Sequence, residues 1–311
     1  MEFFHKQTNF PFMATRKVWY GLSAVLMIIS FISFYVRGLN LALDFTGGVS
    51  VEVTFSVPMD ADKVRAALAA AQFKEPQVQT FGSSRDIAIR LQTVATEPSE
   101  VVKERIAKAL TPLDPQIVIH PPDIVGAQVG DELRNSAIQA LLATLVGIFI
   151  YLVFRFHTWR LSAGAILAVM HDPILVLGVF SITQTPFDLA VVAAVLAVIG
   201  YSLNDTVVVF DRIRERFEKS RRLSPTVALD QAINQTLSRT IMTKVVTAIV
   251  VVALLFLGGP VLRGFSEALL IGIVAGTYSS IWISSSVALD LGLTAEHVFP
   301  SEKKSPVDHL P

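Results

Sequence analysis

The stretch "GYSLNDTVVVFDRIRERF", residues 200–217, decides how this sequence folds. Its first half is apolar enough to continue a helix in hydrocarbon, yet it carries a carboxylate, Asp205, beside Asn204. Its second half begins at Asp211 and is strongly charged, so we expect the helix to leave the hydrocarbon there. A carboxylate in a membrane segment is unfavourable unless it meets a partner or water, and such residues usually mark ion or proton pathways. Asp205 is therefore the first candidate for a functional residue.

The composition of the whole chain agrees with a membrane protein. The 311 residues are 52% hydrophobic and carry no formal net charge. The mean hydropathy of +0.55 is too high for an ordinary soluble domain, and the neutral charge gives no case for nucleic acid as a partner. The chain has no cysteine, which excludes a disulfide framework and a cysteine-based metal site.

Six stretches are long and apolar enough to cross a bilayer, which takes about 20 residues for a helix. Basic residues precede the first stretch and no small-residue cleavage site follows it, so we interpret it as a retained anchor and not as a signal peptide. The fold class is therefore an α-helical polytopic membrane protein. The predicted spans lie at roughly 17–36, 134–154, 161–181, 188–210, 240–258 and 264–290.

The distribution of Lys and Arg between the short loops predicts the orientation of the spans. The counts are three in the N-terminus, two in 155–160, seven in 211–239 and two after 291, against none in 182–187 and one in 259–263. Fourteen against one predicts that both ends are cytoplasmic and that the long segment after the first span lies outside. The predicted parts of the chain are 1–36, 37–133, 134–290 and 291–311.

Segment 37–133 has the pattern of a small α+β domain. Its predicted elements are a strand with alternating Val49, Val51, Val53 and Phe55, a helix over 59–73 with Asp60 as N-cap, a hairpin of 76–81 and 86–93 around Gly82–Ser84, a helix over 97–110, and a last strand over 116–120 ended by Pro121 and Pro122. This β-α-β-β-α-β order is the ferredoxin-like arrangement. The segment has no His cluster, phosphate loop or nucleophile beside a base. We therefore interpret it as a module that contacts other proteins and not as an enzyme.

Two cations compete as the partner of Asp205. Arg239 follows the basic loop at the start of the next predicted span, and Lys244 lies five residues further in. Both side chains are long enough to reach, so the residues alone leave the choice open. A static ion pair that merely joins two helices is the simpler alternative to a proton or ion pathway.

A second polar group lies in the third predicted span, at His171-Asp172-Pro173. A histidine and a carboxylate near the middle of a bilayer are able to pass protons. Adjacent residues point to different faces of a helix, which weakens the case for proton transfer between them. The alternative is a hydrogen-bonded polar pair beside a proline kink. A metal site is disfavoured, since the ligands are too few and their spacing is unsuitable.

The remaining features indicate packing and topology. Gly272 and Gly276 form a small-xxx-small face, to which Gly264, Ser279 and Ser280 add further small residues. Residues 224–239 predict an amphipathic helix that lies at the cytoplasmic surface. Its basic lead-in, 218–223, is interpreted as a topology signal, with contact to membrane lipid or to a partner as the alternative.

Four motifs, in this order and with this membrane layout, resemble the SecF family, the small subunits of bacterial SecDF protein-export complexes. They are "LNLALDFTGG" (39–48), "VGAQVGDELR" (125–134), "GYSLNDTVVVFDRIRE" (200–215) and "INQTLSRTIMT" (233–243). The first motif contains Leu43, Asp44, Phe45, Gly47 and Gly48. The resemblance covers the chain from about Arg37 to Gly292.

The resemblance implies a non-enzymatic protein of the resistance-nodulation-division superfamily, in the bacterial inner membrane and without a cofactor other than the transported ion. It implies pairing with SecD, association with the SecYEG channel, YajC and YidC, and assistance to preproteins after the ATPase SecA has started their export. It places the family's essential acid on Asp205 and its essential arginine on Arg239, which favours Arg239 over Lys244 as the partner. The chain departs from the family at Lys244, where relatives have a small residue.

The resulting hypothesis is a proton switch, in which protonation of Asp205 releases its cation and lets helices repack. Two other classes stay open, a small-molecule exporter of the same superfamily and a passive scaffold. Such exporters have a second large outside loop, whereas 182–187 and 259–263 are short. Sodium is an alternative to the proton, since a carboxylate beside Asn204 and Ser202 is able to bind either.

Overall fold

The computed structural model describes residues 8–73, 76–81, 83–91, 99–156 and 158–299. The predictions for Lys6, for the turn residue Gly82 and for the tail from 300 concern residues outside these ranges. The elements in chain order are α1 (Arg16–Arg37), α2 (Leu43–Thr46), β1 (Gly48–Thr54), α3 (Ala61–Ala70), β2 (Gln77–Phe81), β3 (Ser83–Leu91), α4 (Ser99–Leu110), β4 (Val118–Ile119), β5 (Asp123–Val125), α5 (Ala127–Phe156), α6 (Trp159–Thr183), α7 (Leu189–Lys219), α8 (Pro225–Leu257), α9 (Gly259–Tyr278), α10 (Ser284–Asp290) and α11 (Ala295–Val298).

Six helical segments of the described chain are long and apolar enough to cross a membrane, so the predicted number of spans is confirmed. They are α1 with the short 3-10 turn before it, α5, α6, α7, α8, and a sixth segment over Val261–Asp290. The sixth segment joins α9 to α10 through a π-helical turn at Ser279–Ile283. The protein is therefore a multi-pass membrane protein.

The six segments differ in how much of their surface the protein itself covers. In α6 and in the sixth segment, 61% of the most apolar window is buried, whereas the corresponding share is 6% in α5 and 17% in α1 and α8. Helices α6 and the sixth segment thus form the centre of the bundle. The uncovered apolar faces of α1, α5 and α8 remain available for lipid or for another protein.

Helix α7 continues well past the predicted end of its span at 210, as far as Lys219. Its charged half stays helical because it keeps an apolar face, on which Ile213 and Phe217 are fully buried. The predicted span ended where charges begin, but a helix outside the hydrocarbon can continue as long as one face packs against the protein.

The helix predicted over 224–239 is present, but it is the first half of α8 and continues without a break into the fifth span. Ser224 caps the helix and Pro225 is its first residue. Ala228 and Leu229 are fully buried in a cluster that also contains Phe217. The apolar face therefore packs against the protein and not against lipid.

The short strands form one antiparallel sheet in the order β2-β3-β1-β4, with β5 paired to the other part of β1. Val53 lies opposite Ile87 of β3 and opposite Ile119 of β4, so β1 is the central strand. One face of the sheet and the helices α3 and α4 enclose a core that includes Val49, Val51, Phe55, Val64, Leu68, Ile89, Val102 and Ile106. Asp60 caps α3 as predicted, accepting the amide of Asp62 at 2.9 Å.

The last predicted strand, 116–120, is shorter than expected, and a further strand was missed. Strand β4 contains only Val118 and Ile119, and β5 follows Pro121 and Pro122. Both strands pair with β1, β4 at Val53 and Thr54 and β5 at Gly48 to Ser50. The two prolines interrupt the edge strand because they have no amide hydrogen to donate to the ladder.

Two consecutive glycines connect α2 to β1. Gly47 has φ 64° and Gly48 has φ 123°, values that side-chain-bearing residues rarely adopt. The same turn lies against Gly130 at the start of α5, where a Cβ atom would stand 3.0 Å from the amide nitrogen of Gly47. The backbones of the two segments touch directly at this point.

The extramembrane sheet is expected to lose stability in acid through Asp114. The amide of Gln116 and both the hydroxyl and the amide of Ser56 donate to its carboxylate and lower its pKa below the ordinary value of about 4. A lowered pKa in the folded state stabilises the fold above the ordinary pKa, and this contribution disappears as the pH falls through the lowered pKa.

Amide hydrogen exchange over residues 48–91, corrected for intrinsic rates, measures this effect between pH 6 and pH 3. We expect protection to fall towards pH 3, and Asp114→Asn to reduce it already at pH 6 and to flatten the pH dependence. Some dependence should remain, because Ser83 and Thr54 lower the pKa of Asp86 in the same way. Equal protection in both proteins at pH 6 would contradict this role of Asp114.

Candidate functional site

Asp205 lies on α7 with 8% of its surface exposed, and its partner is Lys244 of α8. The Lys244 Nζ atom is 2.6 Å from the Asp205 Oδ2 atom, and Lys244 is 4% exposed. A charge removed from water is tolerated in a helix bundle when an opposite charge lies against it. Lys244 is therefore the partner that a carboxylate in a membrane segment needs.

Tyr201, one turn before Asp205 on α7, also contacts the ammonium. The Lys244 Nζ atom lies 4.1 Å from the centroid of the Tyr201 ring, within the range of a cation–π contact. The Tyr201 hydroxyl donates to the Thr243 carbonyl oxygen at 3.0 Å and lies 2.9 Å from the Thr247 hydroxyl. These bonds to α8 fix the ring, so the ammonium contacts both the carboxylate and a ring that is held in place.

A pocket of about 400 Å³ opens beside this pair. Asp205 and its predicted neighbour Asn204 contribute to its wall, so the carboxylate is accessible from the pocket although it is nearly buried. The volume is sufficient for several water molecules, each of which occupies about 30 Å³ in the liquid. The pocket is lined by Tyr201, Asn204, Asp205, Met242, Thr243, Val246 and Thr247.

Arg239, the other predicted partner, is exposed and does not share the Asp205 pocket. It lies five residues before Lys244, so the two side chains point about 140° apart around α8 and cannot both face Asp205. Arg239 instead lines a second pocket of about 250 Å³ between the charged half of α7 and the start of α8. That pocket also contains Val208, Asp211, Arg212, Glu215, Gln235 and Thr236.

Asp172 of α6 is fully buried and is held by three side-chain donors. The His171 Nδ1 atom is 3.0 Å from its Oδ1 atom, and the Ser279 hydroxyl donates to its Oδ2 atom at 2.9 Å. The Ser202 hydroxyl of α7 donates to the same oxygen. This contact agrees with the alternative of a hydrogen-bonded pair. Adjacent residues begin on different faces of the helix, but the imidazole turns back onto the neighbouring carboxylate.

A chain of hydrogen bonds continues from Asp172 to α1. The His171 Nε2 atom is 2.7 Å from the Tyr278 hydroxyl, which is 3.1 Å from the Ser23 hydroxyl. A neutral imidazole with its proton on Nδ1 donates to Asp172 and accepts from Tyr278, so one orientation of the chain satisfies every group. The chain links α1, α6 and the sixth segment, and through Ser202 it reaches a point one turn before Asp205.

Removing the Tyr278 hydroxyl tests whether this chain stabilises the bundle. Tyr278→Phe keeps the ring, which packs on Trp19, and removes the bonds to both His171 and Ser23. We expect a loss of about 1–2 kcal/mol, because the buried His171 Nε2 atom loses its donor. Thermal unfolding in detergent measures it, with Tyr35→Phe on α1 as the comparison, because Tyr35 is 93% exposed. An unchanged unfolding midpoint for Tyr278→Phe would show that this chain of hydrogen bonds does not stabilise the bundle.

The glycines predicted as a packing face lie where α9 meets α7. A Cβ atom on Gly272 would overlap the side chain of Val198. On Gly276 it would stand 3.0 Å from the Ser202 hydroxyl and 3.3 Å from the Asp172 Oδ2 atom. Gly276 therefore makes room for the hydrogen bond between α7 and Asp172.

The motif residues between α1 and β1 contact the first turn of α7. The carboxylate of Asp44 accepts the amide of Leu189 at 2.9 Å, and Asp188 caps the same helix by accepting the amide of Val191 at 2.8 Å. The rings of Phe45 and Phe187 stack with centroids 6.0 Å apart. Burial raises the pKa of Asp188, and burial also lowers the pKa of the nearby Arg90 of β3.

Sequence reasoning missed several residues of these clusters. Tyr201 was not singled out and Ser202 was named only beside a sodium ion, although their spacing of four and three residues places them on the same side of α7 as Asp205. Tyr278 and Ser23 were not predicted, because their link to His171 joins segments far apart in the chain. In the described part of the chain, no group of three or more His, Cys, Asp and Glu side chains is arranged to hold a metal ion.

Two family models match the chain. The model described as "Protein export membrane protein SecD/SecF, C-terminal" matches residues 105–294, and the model described as "SecD/SecF GG Motif" matches residues 32–59. The first match contains Asp172, Asp205, Arg239 and Lys244, and the second contains the glycines that connect α2 to β1.

Relatives that match over nearly the whole chain are SecF proteins. The chain is 46% identical over 300 residues to the protein translocase subunit SecF of Haemophilus influenzae, covering 96% of this chain and 91% of that protein. It is 44% identical over 302 residues to the protein translocase subunit SecF of Pseudomonas aeruginosa, covering 96% and 97%.

Two solved structures have the same fold. The crystal structure of SecDF from Thermus thermophilus, described as a translocon-associated membrane protein, superimposes with a TM-score of 0.83 at 33% identity. The match covers 91% of this chain and 39% of that one, so this chain spans well under half of the solved protein. SecDF in a super-membrane-facing form superimposes with a TM-score of 0.69 at 32% identity, again covering 39% of that chain.

Proposed function

Because the chain belongs to the SecF family of protein translocase subunits, we propose that it works with a SecD partner to convert a proton gradient into movement that assists preprotein export. The observation that carries this proposal is the buried Asp205–Lys244 pair at the wall of a pocket. A titratable carboxylate with an opposite charge at 2.6 Å and access to a pocket has the parts of a proton switch.

The switch has two states. With Asp205 ionised, the pair holds α7 against α8. Protonation cancels the carboxylate charge, the attraction ends, and the ammonium keeps the Tyr201 ring as its partner. Proton release restores the pair. We assign the release side to the second pocket, where Arg239, Asp211 and Glu215 lie towards the charged end of α7.

The available energy is adequate for this switch. One charge that crosses a potential of roughly 150–200 mV supplies on the order of 4 kcal/mol, at about 2.3 kcal/mol per 100 mV. That energy shifts a two-state equilibrium roughly a thousandfold, since about 1.4 kcal/mol corresponds to a factor of ten. One proton per cycle is therefore enough to bias a conformational change.

The Asp172 cluster supports transmission of the movement within the membrane. Ser202 and Asp205 lie on the same side of α7, so a shift of α7 that follows protonation also pulls on the bond between Ser202 and Asp172. The hydrogen-bond chain through His171 and Tyr278 then carries the shift to α1. Helix α1 leads through α2 into β1 of the extramembrane sheet.

The remaining assignments follow from charge and from the family. The excess of Lys and Arg in the loops on one side favours cytoplasmic ends and a sheet on the outer face of the inner membrane. There we interpret the β-α-β-β-α-β unit as a ferredoxin-like domain that meets emerging preprotein. SecYEG, SecA, YajC and YidC are proposed partners on the same basis. No observation on the described residues favours a small-molecule exporter.

The test is preprotein release in vesicles that contain this chain with its SecD partner and the export channel. We expect release to quicken when a proton gradient is imposed and to return to the basal rate when an ionophore collapses it. A passive scaffold gives the same rate in both conditions, and that result would end the proposal.

A further inference from the structure

We propose that Lys244 sets which ion the Asp205 site accepts, because its ammonium is a tethered cation that closes the carboxylate to Na⁺ and leaves it open to protons. This inference deepens the proposed function and rests on the ion-coupled role of Asp205 given there.

The ammonium has two contacts within the protein. The Asp205 Oδ2 atom lies 2.6 Å from the Lys244 Nζ atom, and the Tyr201 ring lies 4.1 Å from the same atom. The ring is itself tied to α8 through the Thr243 carbonyl and the Thr247 hydroxyl. With only 4% of Lys244 exposed, the side chain is not a surface lysine that moves freely between water and the carboxylate.

Apart from the ammonium, the pocket has the chemistry of a site for a hard cation. Asp205 carries a carboxylate, Asn204 an amide, and Thr243 and Thr247 hydroxyl groups, and all four residues line one pocket of about 400 Å³. Hard cations take oxygen ligands, and a single carboxylate among neutral oxygens matches one positive charge. A sodium ion on this carboxylate would lie beside the ammonium, and two like charges in a nearly buried site repel strongly.

A proton does not meet this obstacle. It binds to a carboxylate oxygen and cancels the charge of Asp205, so the site then holds one positive charge, on Lys244. That charge keeps the face of the Tyr201 ring as its partner. The other carboxylate of this region, Asp172, is occupied by donors from His171, Ser202 and Ser279. The lysine therefore acts as a selectivity element and not only as a structural partner.

The first experiment measures ion binding directly, without transport. The melting temperature of the complex with SecD, purified in detergent, is compared in sodium chloride and choline chloride at equal ionic strength. We expect equal values for the wild type and a sodium-dependent rise of a few degrees for Lys244→Met, which keeps the length of the side chain and removes its charge. Lys244→Arg keeps a cation and should behave as the wild type does.

A double variant shows whether the new binding uses Asp205. Lys244→Met with Asp205→Asn should lose the sodium effect, because the carboxylate that holds the ion is gone. The inference is overturned by a sodium effect of equal size in the wild type and Lys244→Met, by its absence in Lys244→Met, or by its persistence in the double variant.

The second experiment measures coupling in vesicles with SecD and the export channel. At constant pH, an imposed sodium gradient should leave release by the wild type unchanged and should raise release by Lys244→Met at least severalfold above its own rate in choline. Sodium-driven release by the wild type would overturn the inference. Failure of the wild type to respond to a proton gradient refutes the proposed function instead, and the melting experiment then still decides whether Lys244 excludes sodium.

Discussion

Asp205→Asn is expected to abolish the gradient-driven part of preprotein release and to leave the gradient-independent part. Asparagine is neutral at every pH, so protons can no longer change the charge beside Lys244. Vesicles that contain the SecD partner, measured with and without a proton gradient, give the two parts separately. A variant that responds to the gradient as the wild type does would show that Asp205 is not the coupling residue.

Loss of stability must be separated from loss of coupling in this variant. Asp205→Asn leaves the ammonium of Lys244 nearly buried without its counter-charge, which costs about 3 kcal/mol or more in comparable pairs. Asp205→Asn combined with Lys244→Met removes both charges and should recover most of that stability. We expect the double variant to melt near the wild-type temperature and still to lack the response to a proton gradient. Recovery of that response would contradict the switch.

Gly164→Ala is expected to destabilise the bundle by about 3 kcal/mol, near the upper end for overpacked cores. Gly164 lies on α6, and a Cβ atom there would overlap the carbonyl oxygen of Ser284, the first residue of α10. The overlap is with backbone, so no side chain can move aside and α6 must separate from the sixth segment. Both helices belong to the centre of the bundle, where a small separation disturbs many contacts.

The matched control is Gly147→Ala on α5, where nothing lies within 4 Å of the added atom. Alanine favours a helix by roughly 1 kcal/mol over glycine, so this variant should be as stable as the wild type or more so. Thermal unfolding of both variants in the same detergent compares them. Equal midpoints would show that the contact between α6 and α10 adjusts without strain.

The number of membrane spans was predictable because hydropathy is a local property of the chain. Their ends were less so. Helix α7 reaches Lys219, and the first half of α8 packs against it. Phe217 of α7 and Leu229 of α8 are buried in the same hydrophobic cluster. That contact depends on how α7 and α8 are arranged in three dimensions, and the local hydropathy of the sequence does not predict this arrangement.

The candidate site was predictable in part for the same reason. Asp205 and His171-Asp172 stand out because polar groups in apolar stretches need partners. The partner of Asp205 was not decided, since Arg239 and Lys244 are both within reach on one helix and only the rotation of α8 selects between them. The contacts of Tyr278 with His171 and Ser23 join distant segments and leave no pattern in the sequence.

The contact between the Gly47–Gly48 turn and Gly130 has a consequence for the genetics of this protein. Every missense change in a glycine codon adds at least one carbon atom to Cα. At Gly47 and Gly48 the torsion angle disfavours that atom, and at Gly130 it stands only 3.0 Å from the neighbouring peptide. Variants at three codons, two adjacent and one distant, should therefore share a phenotype, and a genetic screen for lost export would collect them together.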